Sequence, residues 1–317
     1  MVTRPIEHHP LADLRIGVLG KGGSGKSTLT VLVARALVKR EYEVVVLDAD
    51  STNVGLHRAL GIEEPPRPLL EYFGGSVFSG GAVTCPVDDP TGLPTPIIDL
   101  AALPTAYTRR DSEGIWLLVA GKLAELGAGA GCDGPIAKIT RDLEVRGTAG
   151  RTVLLVDLKA GFEDSARGVL VRLDGAIAVV DPTLTAVRMA AALTHLVDEI
   201  HAGALPATRH LADPGLVALA NRLYAEPRIR DVVVVLNRIA DPQTEGTLRA
   251  TLEAAGVSVS GVVREDPGLR RAWLMGEALE GHLLEPEVGQ IVDRLEARLG
   301  SFSKSNRADS SRPVEVS

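Results

Sequence analysis

The chain of 317 residues carries a net charge of −7, with 45% hydrophobic and only 3% aromatic residues. A chain of this length buries about three quarters of its extended surface on folding, and the apolar fraction excludes disorder over most of it. No run approaches the roughly 18 apolar residues of a membrane span, and two cysteines cannot build a disulfide framework, which points to a cytoplasmic protein.

Residues 1–13 read as a flexible N-terminal tail, with His8, His9 and Pro10 where a secretory leader needs an apolar stretch. Short Val/Leu/Ile runs bounded by Gly, Asp or Asn then recur: Arg15–Leu19, Glu43–Leu47, Ile115–Ala120, Thr152–Val156, Ala176–Val180, Val232–Leu236 and Val257–Val263. Most are apolar throughout, the pattern of strands buried on both faces of a parallel sheet. The last alternates around Ser258 and Ser260 and belongs nearer an edge. After Lys26, Leu29, Leu32, Val33, Ala36 and Leu37 share one helical face, and Val187–His201 and Thr244–Ala255 repeat that pattern. This alternation predicts an α/β fold, a doubly wound, mostly parallel sheet flanked by helices, in a single domain over residues 14–300. Residues 61–114, rich in Pro and Gly, read as an irregular insertion, either functional or a cover over the sheet edge. Residues 301–317 lack periodicity and read as a disordered tail.

Of 34 basic residues only seven are lysine, and two of these, Lys21 and Lys26, fall within Gly20-Lys21-Gly22-Gly23-Ser24-Gly25-Lys26-Ser27. The stretch matches G-x-x-x-x-G-K-[ST] between a predicted strand and a predicted helix. Its glycines let backbone N–H groups converge on phosphate oxygens, and the helix start adds its dipole. Lys26 is expected to reach the β- and γ-phosphates and Ser27 to ligate Mg²⁺, with Thr28 next in the nucleotide-binding run.

With Lys21 directly after the first glycine, Lys21–Ser27 resembles the K-G-G-x-G-K-[ST] signature of the deviant Walker A P-loop ATPases. That superfamily includes the ParA and MinD partitioning ATPases, the nitrogenase iron protein and the CooC-type ATPases of metal-centre maturation. The resemblance implies a P-loop NTPase fold of the SIMIBI type, ATP and Mg²⁺ as ligands, and an ATP-dependent homodimer in which Lys21 reaches the partner's phosphates. Asp48 and Asp50 then stand at the first switch, where one carboxylate holds the attacking water or a Mg²⁺-bound water; which does which stays open. Asp157 takes the Walker B position, meeting Mg²⁺ together with Ser27. Leu158–Glu163 would be the second switch, with Gly161 as hinge. By the same resemblance Asn237, with Arg238 beside it, hydrogen-bonds adenine, and Asp266 and Pro267 belong to a loop covering the base.

The likeness to the CooC branch extends over Leu155-Val156-Asp157, Ala160-Gly161-Phe162-Glu163 and Ala166-Arg167-Gly168. It continues in Leu117–Lys122 and in Gly131-Cys132-Asp133-Gly134-Pro135. In that branch a C-x-C pair from each subunit binds Ni²⁺ or Zn²⁺ across the dimer, which implies such a role for Cys132. Here Gly134 replaces the second cysteine, so two subunits supply two thiolates where the branch supplies four. The resemblance implies maturation (nickel insertion) of a metalloenzyme such as carbon monoxide dehydrogenase. The alternative is a ParA/MinD-like regulatory or positioning switch that binds no metal. Asp157–Arg167 holds no cysteine, which argues against an iron-protein cluster. Glu285–Leu299 is not a basic membrane helix. Net charge −7 argues against a nucleic-acid partner, with Arg222, Arg228, Arg230, Arg270 and Arg271 read as a solvated face.

Overall fold

The computed structural model describes residues 9–77, 89–122, 133–161, 168–208, 211 and 213–300. The first half of the chain runs β1 (Arg15–Gly20), α1 (Lys26–Lys39), β2 (Glu43–Asp48), α2 (Leu56–Ala59), α3 (Leu69–Phe73), β3 (Ile97–Asp99), β4 (Arg109–Arg110) and β5 (Trp116–Val119). It continues with α4 (Gly134–Asp142), β6 (Glu144–Arg146), β7 (Thr152–Asp157), α5 (Val169–Arg172), β8 (Gly175–Val180) and α6 (Leu184–His201). Last come α7 (Pro214–Ala225), β9 (Val232–Ile239), α8 (Pro242–Ala254), β10 (Val259–Arg264), α9 (Pro267–Met275) and α10 (Glu285–Leu299).

The apolar runs form strands because branched side chains pack well on a pleated surface. All seven, joined by the two-residue β4, make one sheet in the order β10-β9-β8-β1-β7-β2-β5-β4. All neighbours are parallel except β4, which pairs antiparallel with β5 at the edge. Strands β1, β7 and β8 are buried along their whole length, whereas β10, the opposite edge, is mostly half-buried, matching its alternating sequence. Successive residues alternate between two cores, as a period of two requires. Val44 and Val46 join α1 and α10 on one face, and Val45 and Leu47 join α4, α5 and α6 on the other.

Three helices open on Asp-Pro, with Asp213, Asp241 and Asp266 accepting backbone N–H groups of the first turn and Pro214, Pro242 and Pro267 following. The carboxylate fills an orphan donor, and proline needs none at that position. Asp266-Pro267, read from sequence as loop, is therefore the start of α9.

The insertion is partly regular. Its β3 pairs with β6 in a separate two-stranded sheet, and β4 covers the edge of the main one. Arg141 of α4 donates to the carbonyls of Asp89 and Thr91, each at 2.7 Å, pinning the insertion's middle to the helical layer. Residues 9–13, assigned from sequence to the tail, are packed: Leu11 is fully buried, and its N–H reaches Tyr42 Oη at 3.3 Å. The expected tail 301–317 lies outside the described residues. No helix among the described residues is long and apolar enough to cross a membrane.

Candidate nucleotide-binding site

Strand β1 sits between β7 and β8, where the strand order reverses, and in open α/β sheets the crevice beyond the carboxyl ends of such strands is where ligands bind. The loop Gly20–Ser27 lies at that end. Gly25 adopts φ +92°, and a Cβ there would stand 2.3 Å from Asn237 Nδ2, so both conformation and space demand glycine. Helix α1 then starts without a side-chain cap and without an acidic residue in its first turn. Its orphan N–H groups and positive dipole end are left for an anion. Lys26 is buried, and its Nζ donates to the Lys21 carbonyl at 3.5 Å.

The loop is held from β9. Asn237 Nδ2 donates to the Ser24 carbonyl at 2.8 Å, and Arg238 Nη1 to the Gly23 carbonyl at 2.7 Å. These contacts tie two loop carbonyls to β9. The Asn237 amide nitrogen, expected on adenine, is thus engaged on the loop itself. Arg238 makes its contact from the left-handed region, at φ +61°.

The carboxylates come from adjacent parallel strands, in the register that puts Asp48 of β2 beside Asp157 of β7. Ser27 Oγ donates to Asp157 Oδ2 at 2.6 Å, and Thr30 Oγ1 to Oδ1 at 3.3 Å. Asp157 is fully buried, and burial pushes its carboxyl up to about 6 against the opposing pull of Ser27 and Lys26. Asp48 is pushed up to about 7, first by burial and then by the charge of Asp157, with Lys122 opposing. Its Oδ2 pairs with Lys122 Nζ at 2.8 Å, while Oδ1 is buried with no hydrogen-bond partner among the described residues. Asp50 is committed differently: its Oδ1 accepts from Thr52 N at 3.0 Å, Thr52 Oγ1 at 2.7 Å and Asn53 N at 3.2 Å. Asn53 Nδ2 in turn donates to Ser27 Oγ at 2.9 Å.

An orphaned buried oxygen on Asp48, the Ser27 hydroxyl and the Asp157 carboxylate form an all-oxygen donor set that suits Mg²⁺ retaining part of its water shell. When bound, that ion supplies charge neutralisation at phosphate oxygens. The chain's own contribution is an ammonium at Lys26, open helix N–H groups and a buried carboxylate with one uncommitted oxygen.

Lys21 has its ion-pair partner outside the Asp48–Asp157–Ser27 cluster. Its Nζ lies 3.2 Å from Asp181 Oδ2, just beyond β8, and Asp181 Oδ1 accepts from Thr183 Oγ1 at 2.7 Å. A cleft beside the loop is lined by Thr28, Asn237, Arg238, Asp266, Leu269 and Trp273. Trp273 Nε1 donates to Thr28 Oγ1 at 2.8 Å, and its ring packs against Gly55, where a Cβ would stand 2.9 Å from Cζ3.

Residues Gly20, Gly22, Gly23, Ser24, Gly25, Lys26, Ser27 and Thr28 thus meet Asp48, Asp50, Asp157, Asn237 and Arg238 at the carboxyl end of the sheet, with Asp266 in the lining of the adjoining cleft and Pro267 next to it in sequence. Cys132, Cys85, the second-switch positions Phe162 and Glu163, and Ala166 and Arg167 of the CooC-like stretch lie outside the described residues. Of the five arginines read as a solvated face, Arg228 and Arg230 precede β9 and pair with Asp174, whereas Arg270 and Arg271 lie in α9, beyond the far end of β10. Sequence reasoning assigned no role to Lys122, Asn53, Thr30, Trp273 or Asp181. Two of them had a signal: Thr30 stands three residues beyond Ser27 on the same helical face, and Lys122 ends the Leu117–Lys122 stretch that resembles the CooC branch.

The profile of the CobQ/CobB/MinD/ParA nucleotide binding domain matches residues 18–279. An ATP-binding protein of Methanocaldococcus jannaschii is 33% identical over 178 residues, 56% of this chain and 70% of that protein. The carbon monoxide dehydrogenase accessory protein CooC of Rhodospirillum rubrum is 31% identical over 193 residues, 59% of this chain and 70% of its own length. Among solved structures, the septum site-determining protein MinD of Pyrococcus horikoshii, complexed with Mg-ADP, superposes with a TM-score of 0.57 at 16% identity, covering 92% of this chain and 99% of that one. At that identity the superposition speaks for the shared fold.

Proposed function

From the premise that this chain belongs to the CobQ/CobB/MinD/ParA family of P-loop nucleotide-binding domains, we propose that it is a Mg²⁺-ATP-dependent, dimerising ATPase that assists maturation of a metalloenzyme. The observation that carries the reading is the second lysine of the loop. Lys26 lies buried within the loop, while Lys21 stands at its rim, about a third exposed and paired with Asp181. One cation serves the chain's own nucleotide; the other is free to exchange Asp181 for the phosphates of a second copy. The buried carboxylates Asp48 and Asp157 beside Ser27 supply the hydrolytic half, with Asp48 or Asp50 orienting the water.

The maturation role rests on the likeness to CooC, with nickel insertion into a carbon monoxide dehydrogenase as its specific form. Ni²⁺ or Zn²⁺ held by Cys132 across the dimer belongs to that form. One residue favours the second reading, a regulatory switch without a metal: Gly134 stands where the CooC-type motif has its second cysteine.

The test follows Lys21. ATP drives the wild-type chain to a dimer in light scattering and releases phosphate, and Lys21→Ala loses the ATP-dependent dimer. A dimer unchanged in that variant overturns the trans role. Equilibrium dialysis with Ni²⁺ then separates the two outputs, since equal weak binding by wild type and Cys132→Ala leaves the regulatory reading standing.

A further inference from the structure

Lys122 belongs neither to the phosphate loop nor to a carboxylate motif, yet its ammonium is buried and every contact found for it goes to one short stretch. Nζ pairs with Asp48 Oδ2 at 2.8 Å, donates to the Asp50 carbonyl at 2.6 Å and donates to the Asn53 carbonyl. Three partners use the three N–H donors of an ammonium. The sheet brings the residue there: β5 is the parallel neighbour of β2, Val119 is in register with Asp48, and the Ala120 N–H continues the ladder onto the Asp48 carbonyl at 2.9 Å. The chain beyond β5 therefore passes directly over the loop that leaves β2.

We infer that Lys122 is a positioning residue for ATP hydrolysis, fixing the first carboxylate loop against the phosphate loop. It holds Asp48 by one oxygen and leaves the other uncommitted. By fixing the Asn53 backbone it also sets the side chain whose Nδ2 reaches Ser27 Oγ, the hydroxyl that donates to Asp157. A single cation thus places Asp48 and Ser27 relative to Asp157. None of its contacts is to the backbone of Gly20–Lys26, so nucleotide affinity and turnover respond separately to its loss. The lysine stem suits this task because three donors diverge from one compact centre. The planar fork of arginine does not reproduce that arrangement.

The inference rests on the ATPase reading, and the experiment separates the two. Phosphate release and binding of a fluorescent ATP analogue are measured for wild type, Lys122→Met and Lys122→Arg, each checked for folding by circular dichroism. The expected result is a fall in kcat of about 10²-fold in Lys122→Met, with analogue affinity changed less than about threefold and no rescue by Lys122→Arg. If Lys122→Met does not fold, Lys122→Gln, which keeps two N–H donors for the loop carbonyls, carries the same measurement. Unchanged kcat in a folded variant overturns the inference, as does a loss of affinity that matches the loss of kcat. A wild-type chain that releases no phosphate overturns the ATPase reading and this inference with it.

Discussion

The phosphate loop and the first carboxylate loop leave the carboxyl ends of β1 and β2, which flank β7, but they are held in shape by different means. Gly20–Ser27 is shaped chiefly from within, by glycine at a left-handed position and by the start of α1. Asp48–Asn53 is shaped partly by its own Asx turn and partly by Lys122, a residue 72 positions beyond Asp50. A loop built locally tolerates changes elsewhere and fails when one of its own residues changes. A loop built from a distance can be undone by a residue far outside its own stretch of chain.

The largest effect expected from breaking the local loop is at Gly25. A Cβ there meets Asn237 Nδ2 at 2.3 Å and imposes φ +92° on an L side chain. Strain of this kind costs about 1–3 kcal/mol, and displacing Asn237 adds a lost hydrogen bond. Gly25→Ala should therefore weaken ATP binding by about 10²-fold, measured by titration calorimetry. An affinity equal to wild type would show that the loop re-forms without its glycine.

A smaller effect is expected at the buried one of the two long-range supports that β9 gives the phosphate loop. Asn237→Ala removes the donor to the Ser24 carbonyl and leaves that group unpaired in a buried setting. The cost is about 1–3 kcal/mol of stability, read from denaturant midpoints, with a loss of ATP affinity several-fold below that of Gly25→Ala. If Asn237→Ala lost the greater affinity, Asn237 would act chiefly on the base and not on the loop.

The carboxylate side yields the smallest effect, seen in the pH dependence of the metal-free chain. Asp48 and Asp157 are held at about 7 and about 6, above the ordinary carboxylate value, because burial disfavours their charge. The folded state therefore keeps protons that the unfolded state releases. Their contribution is full below the ordinary carboxylate pKa and is lost as pH rises to about 7. In EDTA, the melting temperature of wild type minus that of Asp48→Asn should fall between pH 5 and pH 8. A difference independent of pH would mean that Asp48 is ionised throughout.

Much of the sheet was readable because strands buried on both faces need continuous apolar runs, and the seven predicted runs are the seven longest strands. The short pairings were not readable. β4 spans two residues and β3 and β6 three each, too few to carry a period, and they exist only because the folded chain brings partners alongside. The start of α9 was written in Asp266-Pro267, as it was in Asp213-Pro214 and Asp241-Pro242, but a resemblance to a base-covering loop displaced the capping signal. In the site, the phosphate loop is one contiguous motif, so Lys26 and Ser27 could be named directly. The partners of Asp48 and of the Ser24 carbonyl lie far away in sequence, and no spacing rule connects Lys122 or Asn237 to them.

Trp273 gives the cleft an optical label of its own. The chain has two tryptophans; the other, Trp116, sits at the β4–β5 edge with the Arg110 guanidinium 5.0 Å from its ring centroid. Trp273 instead touches Gly55 at the end of the first carboxylate loop and hydrogen-bonds Thr28 at the start of α1. With Trp116 replaced by phenylalanine and excitation at the long-wavelength edge of indole absorption, where tyrosine does not absorb, the emission would come from a single indole in contact with Thr28 and Gly55, so unlabelled protein could report on the arrangement of the two loops in real time.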